Sequence, residues 1–243
     1  MTDDSPTADD STTRGPENGD GSLTDGETPD IPPEYATTLD SVAPDGGVDG
    51  LRPLHDAFEN ARIIGLGEST HGSREFFRLK HRLVRYLVTE LDVRVVGLEA
   101  HFSEVLDLND YVVHGTGDPK ELLDDLYFWM WNVEAALELV EWLRSFNSDR
   151  PVHDRVRLYG IDAQLNQGAI ERLVDYLETV DPEFLATVRD DLETIADGCL
   201  PPQYDDHCEV RVETANAVLG DVLSRLKTNQ TSYVAATSQR AWR

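Results

Sequence analysis

The feature that most constrains the fold is a set of three short apolar runs, separated from one another by long helical stretches. The runs are ARIIGLGE (61–68), VRVVGLEA (93–100) and RVRLYGIDA (155–163). Short apolar runs of this kind indicate buried strands. Because each connection is too long for a hairpin, the pattern predicts parallel strands joined by helices. The predicted fold class is α/β, with a parallel sheet flanked by helices and a helical carboxyl-terminal region.

Helical periodicity fills the intervals between the runs. The stretch from Ser73 to Leu91 presents a wide apolar face, which is typical of a helix packed on a core. Further helices are predicted over 102–113, 119–126, 132–146, 168–180, 182–196 and 208–227.

The composition divides the chain into three parts. Residues 1–34 are rich in acidic residues, Ser, Thr, Gly and Pro and have almost no large apolar side chain, so they are predicted to be a disordered acidic tail. The predicted α/β domain covers residues 35–180, and residues 181–243 form the predicted helical extension.

The net charge narrows the classes of partner. The 47 acidic residues outnumber 21 basic ones, which gives a formal charge of −26. Such a chain repels itself unless salt screens the charges, and the Debye length falls to about 3 Å at 1 M. We therefore expect a halophilic protein; the alternative is an ordinary acidic protein with a long acidic tail. Nucleic acids and anionic membranes are not expected as partners, because both bind basic patches.

The sequence also bears on the compartment. Cys199 and Cys208 are the only cysteines, which argues against a secreted scaffold held by disulfides. No apolar run approaches the roughly 20 residues of a membrane span. The first residues lack the basic and apolar regions of a signal peptide. The expected location is the cytoplasm.

Each predicted strand places an acid at or near its carboxyl end: Glu68, Glu99 and Asp162. In open α/β sheets, ligands bind outside the carboxyl ends of the strands. The three acids therefore indicate a candidate active site. The alternative is that each acid caps the following helix or binds loop amides.

The loop after the first run adds a histidine to these acids. His71 stands just before the predicted helix, for which Ser73 is a plausible N-cap. The positive end of a helix disfavours imidazolium and favours the neutral form that a general base requires. Candidate substrate-binding residues around it are Ser69, Thr70, Glu75 and Asp162.

Lys80 is predicted to lie on or beside the buried face of this helix, because its neighbours at helical spacing are apolar. A buried ammonium group normally pairs with a carboxylate, and Glu68 or Glu99 could supply it. The alternative is a buried stem with its charge in water. Arg78 is predicted to lie on a solvated face. The aromatic cluster at 128–131 fits either core packing or substrate contact.

Four segments resemble the erythromycin esterase family in order and spacing. They are GLGESTHGSREFFRLKHRLVRYL, VRVVGLEA, FWMWNVEAALELVEWLRSFN and VRLYGIDA. The resemblance implies hydrolysis of a small-molecule ester, such as the macrolactone of erythromycin, and a role in the response to macrolide antibiotics. It also implies that no metal or other cofactor is required.

The resemblance assigns roles to individual residues. It implies that His71 is the general base, with Glu68 and Glu99 as orienting or proton-handling partners. Lys80 would be an electrophilic or positioning cation. Some relatives have arginine at that position, so an oxyanion role for Lys80 is less certain.

The chain also departs from the family pattern. Family members are longer and carry a further W-x-H-N-x-H segment, and none of the seven histidines here stands in such a motif. We therefore expect a truncated member that carries half of the site. The alternatives are an inactive remnant and a metal-binding hydrolase that uses the strand-end acids with His71. A zinc site at Cys199, His207 and Cys208 lacks CxxC spacing and a fourth ligand. The sequence does not indicate the oligomeric state.

Overall fold

The computed structural model of the chain describes residues 38–163, 167–197 and 209–242. The predicted acidic tail and the group of Cys199, His207 and Cys208 lie outside these ranges. The main compact unit begins at Leu39, four residues after the predicted start of the α/β domain.

A parallel pair of strands forms the sheet in the described part of the chain. Strand β1 covers Val95–His101 and β2 covers Arg157–Asp162. Val95 lies opposite Arg157, and the register continues until an irregularity between Leu98 and His101. The connection between the strands is helical, as expected for a parallel crossover. The α/β fold class predicted from the sequence is confirmed.

The described residues also form nine helices. They are α1 (His55–Phe58), α2 (Arg74–Glu90), α3 (Phe102–His114), α4 (Pro119–Asp124), α5 (Glu134–Ser148), α6 (Gln167–Val180), α7 (Pro182–Asp197), α8 (Glu209–Ala236) and α9 (Gln239–Trp242). Short 3-10 turns occur at Asp49–Leu54, Trp129–Trp131 and Val152–Asp154. None of these helices combines the length and the apolar character that a membrane crossing requires.

One face of the sheet carries the main hydrophobic core. Leu98, Ala100 and Leu158 are buried there against side chains from α2, α3 and α5. Asn147, at the end of α5, is fully buried and donates hydrogen bonds to the carbonyl oxygens of Val112 and Val156 at 3.0 and 2.8 Å. These bonds join α3, α5 and the start of β2, which fixes the helical layer behind the sheet. A second core lies between α6, α7 and α8 and contains Ile170, Leu177, Leu185, Leu192 and Val222.

The prediction of a buried strand at 61–68 is wrong. This segment is irregular and makes no ladder with β1 or β2, and Ile63 is 91% exposed. Val95 and Ile161 are also exposed, on the sheet face opposite the core. An apolar run indicates burial only where a second layer covers it, and the described residues place no such layer here.

The face of α2 around Arg78 was predicted to be solvated, but it is partly buried. Arg82 is almost fully buried and donates to the carbonyl oxygens of Gly46 and Gly47 at 3.1 and 2.9 Å. Its guanidinium pairs with Asp40 at 2.8 Å. The segment that surrounds Arg82 is distant in sequence, so periodicity within α2 gave no sign of it.

His81 is buried on the same helix, with its ring centroid 6.0 Å from that of Trp142. Within the described residues neither ring nitrogen has a hydrogen-bond partner, and burial, helped by the charge of Arg85, lowers the pKa of His81 from 6.5 to about 4. The unfolded chain therefore binds this proton more readily than the folded one. The stability from neutral His81 is present above about pH 6.5 and is lost as the pH falls towards 4.

We expect His81→Phe to reduce the acid sensitivity of the fold while keeping the ring contact with Trp142. Each pKa unit corresponds to about 1.4 kcal/mol, so the effect near pH 4 is at most about 3 kcal/mol. Urea unfolding at pH 7 and pH 4.5 checks this, because other groups titrate equally in both proteins. An identical loss of stability in the two proteins would contradict the prediction.

Candidate active site

Glu68 joins His71 and Lys80 in a hydrogen-bonded chain. The Nδ1 atom of His71 lies 2.6 Å from Oε1 of Glu68, and the Nζ atom of Lys80 lies 2.6 Å from Oε2. The Glu68 side chain is 8% exposed, whereas those of Lys80 and His71 are 24% and 50% exposed. A buried carboxylate therefore holds a partly buried cation on one oxygen and a half-exposed imidazole on the other.

Local structure positions each member of this chain. Glu68 ends the irregular segment 61–68, and His71 lies in the turn that precedes α2. Lys80 lies on α2 one turn after the buried Phe77. The turn therefore brings the carboxylate of Glu68 back against the helix that follows it.

The protonation pattern follows from the partners of Glu68. Burial raises the pKa of Glu68, but the hydrogen bonds and charges of Lys80 and His71 outweigh it and hold that pKa below its usual value of 4.5. An ionised carboxylate only accepts hydrogen bonds, so Nδ1 of His71 must carry the proton. The Nε2 atom of a neutral His71 then has a free lone pair, which is the arrangement of an oriented general base.

A cleft of about 330 Å³ lies beside His71. It is lined by His71, Gly72, Ser73, Arg74, Phe77, Trp129, Val133, Glu134 and Ala135. The apolar part of the wall comes from Phe77, Trp129 and Val133. At the rim, Arg74 and Glu134 form an ion pair of 3.8 Å. A small uncharged molecule could therefore lie next to His71.

The loop residues predicted to bind substrate make local hydrogen bonds to neighbouring residues of the chain. Thr70 accepts a hydrogen bond from the amide of Gly72 at 3.3 Å, and Ser69 is exposed. Ser73 donates to Glu75 at 3.1 Å and makes no side-chain cap to α2, so its predicted N-cap bond is absent. The pKa of Glu75 is lowered by its own backbone amide and by Ser73.

The two acids predicted at the ends of the other strands are placed differently. Glu99 is exposed on β1, and its carboxylate makes no hydrogen bond or ion pair with Glu68, His71 or Lys80. Asp162 ends β2 and accepts a hydrogen bond from the amide of Ala163 at 2.7 Å. Among the described residues, Glu68 is the predicted strand-end acid that pairs with His71 and Lys80.

The structure identifies residues of the cleft that the sequence did not assign to the site. In the aromatic cluster, Trp131 is buried and its Nε1 donates to the backbone oxygen of Glu99 at 2.9 Å, whereas Trp129 is 69% exposed in the cleft. Val133 and Glu134 also line the cleft. The aromatic cluster at 128–131 was the sequence feature that could have indicated these residues, but the sequence does not show which ring faces the solvent.

Across residues 38–163, 167–197 and 209–242, no group of three or more His, Cys, Asp or Glu side chains is arranged to hold a metal ion. The proposed grouping of the strand-end acids with His71 is therefore not formed as a ligand set.

The fold and this array define a class: an α/β protein whose carboxylate-oriented histidine faces a cleft. The sequence profile of the erythromycin esterase family matches residues 88–243, well over half of the chain. The chain belongs to the erythromycin esterase family. The matched region includes Glu99 and Asp162 and begins after Lys80.

The chain is also similar to individual proteins. Erythromycin esterase type II of Escherichia coli is 29% identical over 151 residues, which is 60% of this chain and 35% of that protein. A crystallised succinoglycan biosynthesis protein is 29% identical, with a TM-score of 0.69 over 86% of this chain and 52% of that one. The erythromycin esterase EreC, in an open conformation, is 19% identical with a TM-score of 0.57 over 81% of this chain and 49% of that one, which shows the shared fold. The chain spans about half the length of these solved relatives and 35% of the length of the Escherichia coli protein.

Proposed function

We propose that this protein hydrolyses carboxylic esters, with His71 as the base that activates water. The observation that carries the proposal is the Lys80–Glu68–His71 chain, which leaves Nε2 of His71 able to accept a proton at the edge of a cleft. Membership of the erythromycin esterase family supports the reaction class.

The proposed reaction needs two proton transfers. Nε2 of His71 removes a proton from water as the water oxygen attacks the ester carbonyl carbon. The tetrahedral intermediate then collapses, the bond to the alkoxide breaks, and the imidazolium returns the proton to that alkoxide. The products are a carboxylic acid and an alcohol. Ionised Glu68 stabilises the imidazolium between the two steps.

Lys80 fits a positioning role better than an electrophilic one. Its Nζ atom is 2.6 Å from Glu68, and the side chain is largely covered, so the ammonium is directed at the carboxylate. There it keeps Glu68 ionised and holds Oε1 towards His71.

The substrate proposal follows the relatives' names. Because the Escherichia coli relative is an erythromycin esterase, a macrolide lactone is the first substrate to test, and a role in macrolide resistance follows if it is cleaved. We propose further that the reaction requires no metal, since the array itself supplies the base.

The test measures loss of intact erythromycin by mass spectrometry and hydrolysis of 4-nitrophenyl acetate, both in molar KCl, with and without EDTA. We expect turnover that resists EDTA and falls by about 10²–10⁴ in His71→Ala. His153→Ala, which removes an exposed histidine from another part of the chain, is the matched control. Turnover of both substrates that survives His71→Ala, or that EDTA abolishes, would contradict the proposal.

A further inference from the structure

Two tryptophans of the cluster at 128–131 have opposite environments. Trp131 is buried, packs edge-to-face on Phe77 at 5.6 Å between ring centroids, and uses its Nε1 in a hydrogen bond. Trp129 is exposed, and within the described part of the chain its indole makes no ring contact and no hydrogen bond. Core packing therefore accounts for Trp131, whereas no hydrogen bond or ring contact among the described residues accounts for Trp129.

Trp129 lines the same cleft as His71. With Phe77 and Val133 it gives the cleft an apolar wall, and the volume of about 330 Å³ is at the small end of the range for ligand sites. The charges at the rim, Arg74 and Glu134, already pair with each other. The described part of the cleft therefore offers mainly apolar surface beside the candidate base.

We infer that Trp129 is a specificity-determining residue that binds an aliphatic, uncharged group attached to the scissile ester carbonyl, on either its acyl or its alcohol side. This inference rests on the proposed esterase function, because it assigns Trp129 to the substrate of His71. Anionic substrates are disfavoured, because the chain carries a net charge of −26.

If Trp129 binds an aliphatic group, kcat/KM should depend on the length of the alkyl chain in a series of esters. Each methylene removed from water against the apolar wall raises kcat/KM by up to about fourfold. We expect kcat/KM to rise from acetate to hexanoate among 4-nitrophenyl esters, or from ethyl to hexyl among alkyl acetates. The rise should end when the chain fills the cleft.

The experiment compares the wild-type protein with Trp129→Ala across both series. Because the leaving group is constant within the first series, its slope isolates the acyl group. Across four methylenes, the total rise in kcat/KM should be about tenfold smaller in Trp129→Ala than in the wild type. Tyr127→Ala, which removes a neighbouring exposed aromatic that does not line the cleft, should keep the slope.

A binding measurement separates this inference from the reaction itself. Heptan-2-one resembles an ester with an aliphatic arm but cannot be hydrolysed, and ligand-observed NMR detects its contact with the protein. We expect saturation transfer to its alkyl chain in the wild type, in His71→Ala and in Tyr127→Ala, with loss in Trp129→Ala. Binding with this pattern in a protein without esterase activity would count against the proposed reaction while supporting the cleft assignment.

Two results would overturn the inference. One is an unchanged slope in both ester series after Trp129→Ala. The other is heptan-2-one contact that is absent from the wild type or equal in wild type and Trp129→Ala. Loss of structure is excluded as a cause by requiring that Trp129→Ala retain the wild-type melting temperature and circular dichroism spectrum.

Discussion

Replacing Glu68 with glutamine is expected to reduce ester hydrolysis by about 10³–10⁴, although the side chain keeps its size and shape. In a serine-protease triad, the same exchange of carboxylate for amide lowers kcat about 10⁴-fold by reversing the histidine tautomer. The Glu68–His71 pair has the matching geometry, with Nδ1 on the carboxylate at 2.6 Å.

Lys80 determines which way the new amide would face. The ammonium only donates hydrogen bonds, so it requires the amide oxygen at the position now held by Oε2 of Glu68. The amide NH₂ group would then point at Nδ1 of His71. His71 would have to accept at Nδ1 and carry its proton on Nε2, where it could not act as a base.

A second substitution, at Lys80, is expected to rescue part of the activity lost in Glu68→Gln. In Lys80→Met combined with Glu68→Gln, no ammonium fixes the amide, so its oxygen can turn towards Nδ1 and restore the active tautomer. We expect the double variant to be about tenfold or more faster than Glu68→Gln alone, a coupling of at least ~1.4 kcal/mol. Lys80→Met alone should be slower than wild type.

The measurement is the kcat/KM of the four proteins for 4-nitrophenyl acetate, with the tautomer of His71 read from its ¹⁵N chemical shifts. A double variant that is no faster than Glu68→Gln would contradict the tautomer argument. Wild-type rates in Glu68→Gln would remove Glu68 from the site altogether.

Features that depend on neighbouring residues could be predicted from the sequence, whereas features that depend on distant segments could not. The helices follow from periodicity within one segment, and α2 begins and ends one residue inside the predicted range. The pairing of Glu68 with His71 and Lys80 could also be predicted, because all three residues lie within one loop and the first two turns of the next helix.

The failures concern contacts between distant segments. Burial of His81 and Arg82 depends on Trp142 and on the chain around residues 40–47. The run at 61–68 is apolar, but burial as a strand requires a partner strand and a covering layer. The expected contact between Glu99 and Glu68 likewise depended on pairing between the segment 61–68 and β1, and the described residues do not form that pairing.

Thermal stability is expected to increase strongly with salt. At about 0.1 M salt the Debye length is about 10 Å, whereas at 1 M it is about 3 Å, so added KCl screens repulsion between surface acids. If screening recovers about 3 kcal/mol, the melting temperature rises by roughly 10 °C. Circular dichroism melts across a KCl series measure the slope of melting temperature against salt concentration.

The distribution of charge separates a halophilic fold from an acidic tail. Residues 1–37 contain ten acids and one arginine, so they account for −9 of the net −26. The remaining −17 belongs to residues 38–243. We therefore expect a protein that begins at Leu39 to keep most of the salt dependence. A slope that disappears with the first 38 residues would favour the acidic-tail alternative.

A charge-reduced variant identifies screening as the cause. Asp175, Asp190 and Asp191 are exposed and form no ion pair within the described residues, so their replacement by asparagine removes repulsion without breaking a contact. We expect this triple variant to melt higher than wild type at low salt and to respond less to KCl. The matched control replaces the exposed Thr187 and Thr194 with serine, which leaves the charge unchanged. If all these proteins respond equally to KCl, salt acts through hydrophobic burial rather than through charge, and the halophilic interpretation is wrong.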